Sequence, residues 1–304
     1  MKKITVLTSL YKCEKYLQGY FDWVHRIDNQ EDVEVLLLHN APSQAELDIV
    51  EQNISELPFV RHIIIPELEG LYVTWNRGIR LAKGKYVCIW NVDDIRYPES
   101  LSLQAATLDE NPDILLTYCD FYYMFQYGCI SDKKVINEEF LLNPSAFFSS
   151  HQIGCFPMWR KELHEEFGYF DEQFFLVADF DFQIRLARTG KLKKTEGILG
   201  AYLEDVPEKL SSNLKRQIIE RNVLYLRYAI YEYLNWSSIF FVYQKYKPDQ
   251  VKKGNDWYPV SSVFESYDFF RKKRSTKLFR SIRNQPRYFA SFVKHCLFKS
   301  VKCL

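Results

Sequence analysis

The chain has 304 residues, 47% apolar and 26% charged, which is enough apolar material for a substantial core and excludes a disordered or collagen-like chain. The net charge of +1 hides an asymmetry: residues 271–304 hold eleven Lys or Arg and no acid, which leaves 29 basic against 39 acidic groups elsewhere. A basic tail on an acidic body points to an anionic partner and argues against nucleic acid, whose phosphates the body would repel. No apolar run reaches the roughly 18–20 residues of a spanning helix, and the best candidate, 223–243, is broken by Arg227, Glu232 and Asn235. The run Ile4–Leu10 after Lys2 and Lys3 is too short for a signal peptide, so the expected location is cytoplasmic. Seven scattered cysteines without a C-x-x-C pair offer no zinc or redox motif and fit a reducing compartment.

Along the chain, Ile4–Ser9 reads as a first strand, and Leu17, Tyr20, Phe21 and Val24 then recur at helical spacing. The near-continuous apolar run Val33–His39 predicts a strand buried on both faces. Ser43 with Glu46 forms a capping box that opens a helix over Gln44–Ile54. Val60–Ile65 predicts a third strand, and Leu71, Trp75, Ile79 and Ala82 a helix closed by Gly84. Tyr86–Val92 predicts a fourth strand, Pro98 the first position of a helix, and Ile114–Cys119 a fifth strand. This alternation implies an α/β fold, a mostly parallel sheet with helices on both faces, whose ligands bind at the carboxyl ends of the strands.

Those ends carry Thr8-Ser9-Leu10-Tyr11, His39-Asn40 and Asn91-Val92-Asp93-Asp94, with neither a dinucleotide fingerprint nor a P-loop. Adjacent carboxylates without a neighbouring lysine need solvent or a divalent cation, and hard oxygen ligands point to Mg²⁺ or Mn²⁺ bridging to a diphosphate. The alternative is that Asp93-Asp94 is only a turn ahead of the helix at Pro98.

The order of these pieces resembles family 2 glycosyltransferases of the GT-A fold. The stretches are Thr8–Tyr11, Leu36–Ser43, Asn76–Tyr86, Asp93-Asp94 with Pro98, Gly168–Glu172 and Asp179–Leu186, and the likeness spans roughly residues 3–205. The resemblance implies inverting transfer from a nucleotide-diphosphate sugar, a UDP-sugar favoured, to a glycan or lipid-linked acceptor, as in cell-envelope polysaccharide biosynthesis. By the same resemblance Tyr11 stacks on the base, Thr8 and Asn76 belong to the nucleotide set, and Asn40 stands where an acid usually reads base or ribose. Asp93 touches the ribose, Asp94 holds the metal and Asp179 is the catalytic base, with Arg185 a structural partner on its helix. The chain departs from the family pattern at His39-Asn40, at Asn91 and at Ala178, where acids are usual.

Breaking the anomeric bond leaves charge on the diphosphate, which a divalent ion offsets, while a carboxylate takes the proton of the attacking hydroxyl. Asp181 is the second candidate for that base, and Asp179 also reads as a helix N-cap. The aromatic run Phe121–Tyr127 offers rings to an acceptor or to the core, and His151 and Trp159 are weaker acceptor candidates. After Pro286, Phe289, Phe292, Val293, Cys296, Leu297 and Val301 follow helical spacing among Arg287, Lys294, Lys299 and Lys302. That pattern predicts a basic amphipathic helix lying on the anionic inner face of the plasma membrane, or else a helix packed on the body.

The expected organisation is a transferase domain over 1–205, with a nucleotide-sugar half at 1–120 and an acceptor half at 121–205, followed by a helical region over 206–304. Two other readings remain at this point: a non-catalytic sugar-nucleotide- or membrane-binding protein on a degraded fold, and a sugar-phosphate nucleotidyltransferase. The second lacks its Gly-rich basic loop, since only Leu10-Tyr11-Lys12 follows strand one.

Overall fold

Apolar runs and amphipathic stripes alternate in the structure as they do in the sequence. The computed structural model describes residues 2–204, 213–272 and 274–300. The expected boundary at 205/206, and Lys273, Val301 and Lys302 of the basic tail, lie outside those residues.

The chain forms two units. The first runs to Phe170 and resumes at Phe182 to the end of the sheet, and the second joins Asp171–Asp181 to the C-terminal part. The segment 171–181, expected within the transferase domain, therefore packs with the C-terminal region.

In the first unit β1 (Ile4–Leu10), α1 (Glu14–Val24), β2 (Val33–Asn40), α2 (Gln44–Ile54), β3 (Val60–Ile65), α3 (Leu71–Leu81) and β4 (Tyr86–Ile89) alternate. There follow β5 (Ile95–Arg96), α4 (Ser100–Glu110), β6 (Ile114–Gln126), β7 (Cys129–Val135), α5 (Ala146–Ser149), β8 (Met158–Arg160), α6 (Leu163–Phe167), α7 (Ala178–Thr189), whose residues up to Asp181 are counted with the second unit, and β9 (Lys191–Leu203). The sheet order is β3-β2-β1-β4-β8-β6-β9-β5, with β7 paired to β6. Strands β1, β2, β3 and β4 pair in parallel, as do β6 and β9, while β5, β7 and β8 pair antiparallel. This is the expected mostly parallel sheet flanked by helices. Every residue of β2 is buried, as its unbroken apolar run requires. Leu17, Tyr20, Phe21 and Val24 of α1 are buried in the same core, and each such burial is worth about 1.5–3 kcal/mol.

Several boundaries differ from the sequence reading. β4 stops at Ile89 because Asn91–Asp94 close a turn, with the Asp94 N–H donating to the Asn91 carbonyl at 3.0 Å. α4 starts at Ser100, so Pro98 precedes the helix instead of opening it. Gly84 is not a helix cap, since α3 ends at Leu81; a Cβ there would lie 2.6 Å from the Thr5 backbone nitrogen, so close approach to β1 is what demands glycine. β6 runs on through the aromatic stretch to Gln126, with register shifts that break strict alternation and bury Phe121 and Met124 while exposing Phe125.

The second unit holds α8 (Leu214–Arg227), α9 (Ile239–Lys245), the hairpin of β10 (Gln250–Lys253) and β11 (Asp256–Pro259), α10 (Tyr267–Lys272), α11 (Arg274–Asn284) and α12 (Pro286–Ser300). The stripe on α12 is divided. Phe289 and Phe292 pack on Trp236, at 5.1 and 6.0 Å between ring centres, while Cys296 and Leu297 are exposed. No helix among the described residues is long and apolar enough to cross a membrane.

Candidate functional site

The strand order places a topological switch point between β1 and β4: the chain moves outward from β1 to β2 and β3, then returns to β4 on the other side of β1. A crevice at the carboxyl ends of two such strands is where ligands of open α/β sheets bind. Here those ends carry Tyr11, 42% exposed, and the turn Asn91–Asp94.

A chain of buried contacts holds the two ends in register. Thr8 Oγ1 lies 2.7 Å from the Tyr20 hydroxyl, and the Tyr20 ring meets Trp90 edge-on at 5.1 Å. Trp90 Nε1–H donates to the Asp94 carbonyl at 2.9 Å. Burial pushes the Tyr20 phenol up, so it stays protonated. Thr8 is thus a buried brace, its hydroxyl engaged with Tyr20.

A second hub fixes the loop after β1. Glu46, buried at the start of α2, completes the capping box by accepting from the Ser43 N–H at 2.9 Å. Its other oxygen accepts from the Cys13 N–H at 2.7 Å, two residues beyond Tyr11. Burial alone would raise the Glu46 carboxyl, but the hydrogen bonds from Ser43 and Cys13 outweigh it and hold the group below its ordinary value. Burial and the Glu46 charge together push the Cys13 thiol up, which rules it out as a nucleophile. His39, at the end of β2, stands 3.7 Å from Glu46 and hydrogen-bonds His62 at 3.0 Å. Burial lowers both imidazoles, His62 to about 4, with His39 adding to that shift.

Asn40 and Asn76 are internal struts. Asn40 Nδ2–H donates to Thr74 Oγ1 at 2.7 Å, and its Oδ1 accepts from the Glu69 N–H at 3.2 Å. Asn76 exchanges two bonds with the Phe170 backbone, at 2.9 and 3.0 Å. Both amides are buried and engaged with these internal partners.

The acid pair splits by environment. Asp93 is half-buried, whereas Asp94 is fully buried and accepts from Asn91 Nδ2–H at 3.0 Å and from the Leu203 N–H at 3.2 Å. The Tyr127 hydroxyl is buried without a hydrogen-bond partner among the described residues. Burial, then the charges of Asp94, Asp22 and Asp93, push this phenol up. Its ring presses so closely on α1 that a Cβ at Gly19 would sit 2.3 Å from it. Among the described residues no cluster of three or more His, Cys, Asp or Glu is set to cage a metal ion. One accessible and one buried carboxylate instead fit an ion shared with phosphate oxygens, the usual way Mg²⁺ is held. In the sequence Tyr20 falls on a core-facing helical stripe, Tyr127 in the aromatic run and Glu46 in a capping box, and none of them is given a role at the donor site.

The acceptor-side candidates fare differently. Trp159 is buried in β8, donates to His164 Nε2 at 2.8 Å and packs on Phe170 and Phe182 as a core ring. His151 is half-buried in the loop after α5. Arg185 donates to the carbonyls of Phe167, Gly168 and Tyr169, the structural role expected of it.

In the second unit Asp179 is half-buried in the first turn of α7, with Oδ1 accepting from the Phe180 N–H at 2.8 Å. Asp181 is buried and paired with Arg227 at 2.8 Å, so it is not available as a base.

The chain matches the family description "Glycosyl transferase family 2" over residues 5–168. An uncharacterized glycosyltransferase of Methanocaldococcus jannaschii, MJ1057, is 24% identical over 215 residues, which cover 70% of this chain and 74% of that protein. The putative glycosyltransferase EpsH of Bacillus subtilis is 21% identical over 123 residues, 40% of this chain and 35% of its own length. Among solved structures, S. aureus TarS 1–349 in complex with UDP-GlcNAc aligns with a TM-score of 0.64 at 16% identity, covering 96% of this chain and 92% of that one. The mannosyltransferase PcManGT from Pyrobaculum calidifontis, in complex with GDP-Man and Mn²⁺, aligns with a TM-score of 0.53 at 13% identity, covering 98% and 80%. At these identities the structural likeness speaks to the fold, which is that of GT-A enzymes.

Proposed function

Because this chain belongs to glycosyl transferase family 2, we propose that it moves a sugar, with inversion, from a nucleoside-diphosphate donor to a glycan or lipid-linked acceptor. The observation that carries the donor seat is the β1/β4 switch point, where an exposed Tyr11 and the Asp93-Asp94 turn stand at the ends of adjacent parallel strands.

Tyr11 offers its ring to the base, and Asp93, the more accessible acid, takes the ribose. Thr8, Asn40 and Asn76 act indirectly, by holding the strand ends and α3 in place. Uridine is favoured as the nucleoside because TarS, the neighbour with the higher TM-score, was solved with a UDP-sugar, whereas PcManGT carries GDP-Man. Asp94 would hold a divalent cation, which would offset charge on the departing diphosphate. The Tyr127 hydroxyl donates to a donor oxygen beside the acid pair. Asp179 takes the proton of the acceptor hydroxyl as that oxygen attacks the anomeric carbon, whose bond to the diphosphate breaks on the opposite face.

The basic C-terminal helices bring the enzyme to an anionic membrane, where a lipid-linked acceptor is presented. Phe279 and Tyr288, 73% and 59% exposed, flank the exposed Arg280, Arg283 and Arg287, which supports this reading.

Calorimetric titration of UDP-GlcNAc and GDP-mannose, with Mn²⁺ and with chelator, tests the donor seat. Binding of a nucleotide sugar that weakens in Tyr11→Ala supports it. Undiminished affinity in Tyr11→Ala removes Tyr11, and undiminished affinity in chelator removes the metal.

A further inference from the structure

Asp179 lies on the segment Asp171–Asp181, and that segment is fastened to one helix of its own unit, α8. At its start, Asp171 pairs with Arg227 Nη2 at 2.7 Å and accepts from the Lys252 N–H at 2.9 Å. In its middle, Glu220 accepts from the Phe175 N–H at 3.2 Å and the Leu176 N–H at 2.8 Å, while the Tyr246 hydroxyl donates to Glu220 at 2.7 Å. At its end, Asp181 receives Arg227 Nη1 at 2.8 Å and the Tyr228 hydroxyl at 2.8 Å. Glu220 and Arg227 are seven residues apart, two turns along one face of α8. The chain on both sides of Asp179 is therefore tied to side chains of a single helix, three residues before it and two after it.

Glu220, Arg227, Asp171 and Asp181 are all buried to within 1% of full exclusion. Buried ion pairs often add little net stability over an apolar packing of the same volume, but they hold their partners at defined distances. A general base must sit within hydrogen-bond reach of the proton it removes, and a misplacement of about 1 Å can cost about 10²-fold in rate.

We infer that α8 is a positioning element of the transferase, with Glu220 and Arg227 setting the place of the Asp179 carboxylate. The inference rests on the reading of Asp179 as base. The C-terminal region then contributes to turnover itself, separately from any membrane docking through its last helices.

The test is a double-mutant cycle on the full chain with Glu220→Gln and Asp179→Asn, reading kcat, acceptor KM and donor Kd. Glu220→Gln keeps side-chain volume, and circular dichroism checks its fold. Tyr246→Phe removes only the phenol bond to Glu220 and serves as the milder variant. The expected result is a kcat lowered about tenfold in Glu220→Gln, and less in Tyr246→Phe, with donor Kd unchanged. In the Asp179→Asn background the same substitutions cause no further loss, because the group they position is gone. An equal loss in both backgrounds, or an unchanged kcat in folded Glu220→Gln, overturns the positioning role. Parental turnover in Asp179→Asn alone overturns the base reading and the inference with it.

Discussion

Replacing Glu46 by Gln should loosen the donor-side loop by removing one acceptor from a buried hub. The native carboxylate accepts from the Ser43 and Cys13 backbone N–H groups through separate oxygens, at 2.9 and 2.7 Å. Glutamine keeps one carbonyl oxygen and presents an amide that donates, so one of those N–H groups meets a donor in place of an acceptor. An unsatisfied buried donor costs about 1–3 kcal/mol, and the remaining bond loses its charge assistance, so the expected loss is about 2–3 kcal/mol. For a unit of this size that lowers Tm by about 5–10 °C. The pH dependence has a definite sign. The folded carboxyl is held below its ordinary value, so its contribution is present above the unfolded pKa of 4.5 and is lost as pH falls through the lower folded value. Thermal denaturation of both proteins from pH 7 to pH 3 should show the gap in Tm closing below about pH 4.5. Nucleotide binding should also weaken, because Tyr11 lies two residues from the released Cys13. A Tm unchanged at pH 7, or a gap that does not narrow at all between pH 5 and pH 3, would refute the hub.

Asp93→Asn should weaken nucleotide binding whether or not metal is present, while Asp94→Asn should abolish the metal-dependent part; calorimetry with Mn²⁺ and with chelator separates the two, and equal effects would sink the division. Burial lowers His164 to about 3 and His62 to about 4, so both are neutral when folded and take protons below about pH 6.5 when unfolded. Stability from these groups is full above that pH and is lost as pH falls towards 4 and then 3; a Tm constant from pH 6.5 to 4 would contradict it. Arg280→Gln with Arg283→Gln and Arg287→Gln should release the protein from anionic vesicles in low salt, each charge being worth about 1 kcal/mol. Equal sedimentation of parent and variant would remove the membrane reading.

The first half of the fold was legible because a doubly covered parallel sheet imposes two plain patterns, as in the unbroken burial of β2 and the 3–4 spacing of Leu17, Tyr20, Phe21 and Val24. Periodicity carries no information about where a strand yields to a side-chain turn. The sequence carries the fourth strand on to Val92, yet Asn91 and Asp94 bond to each other and the strand ends at Ile89. The candidate site was legible as positions more than as roles. Thr8, Asn40, Asn76 and Trp159 each spend their polar atoms on internal partners, from His164 five residues beyond Trp159 to the Phe170 backbone 94 residues beyond Asn76. The attachment of Asp171–Asp181 to α8 depends on ion pairs across some fifty residues, which no local pattern announces.

A crystal soaked with UDP and Mn²⁺ tests the central claim most directly. The nucleotide should lie across the carboxyl ends of β1 and β4, the base against Tyr11, the ribose at Asp93, and an anomalous peak for the ion between the diphosphate and the Asp93-Asp94 turn. Density for the nucleotide at any other place on the sheet, with the β1/β4 crevice unchanged, would contradict it.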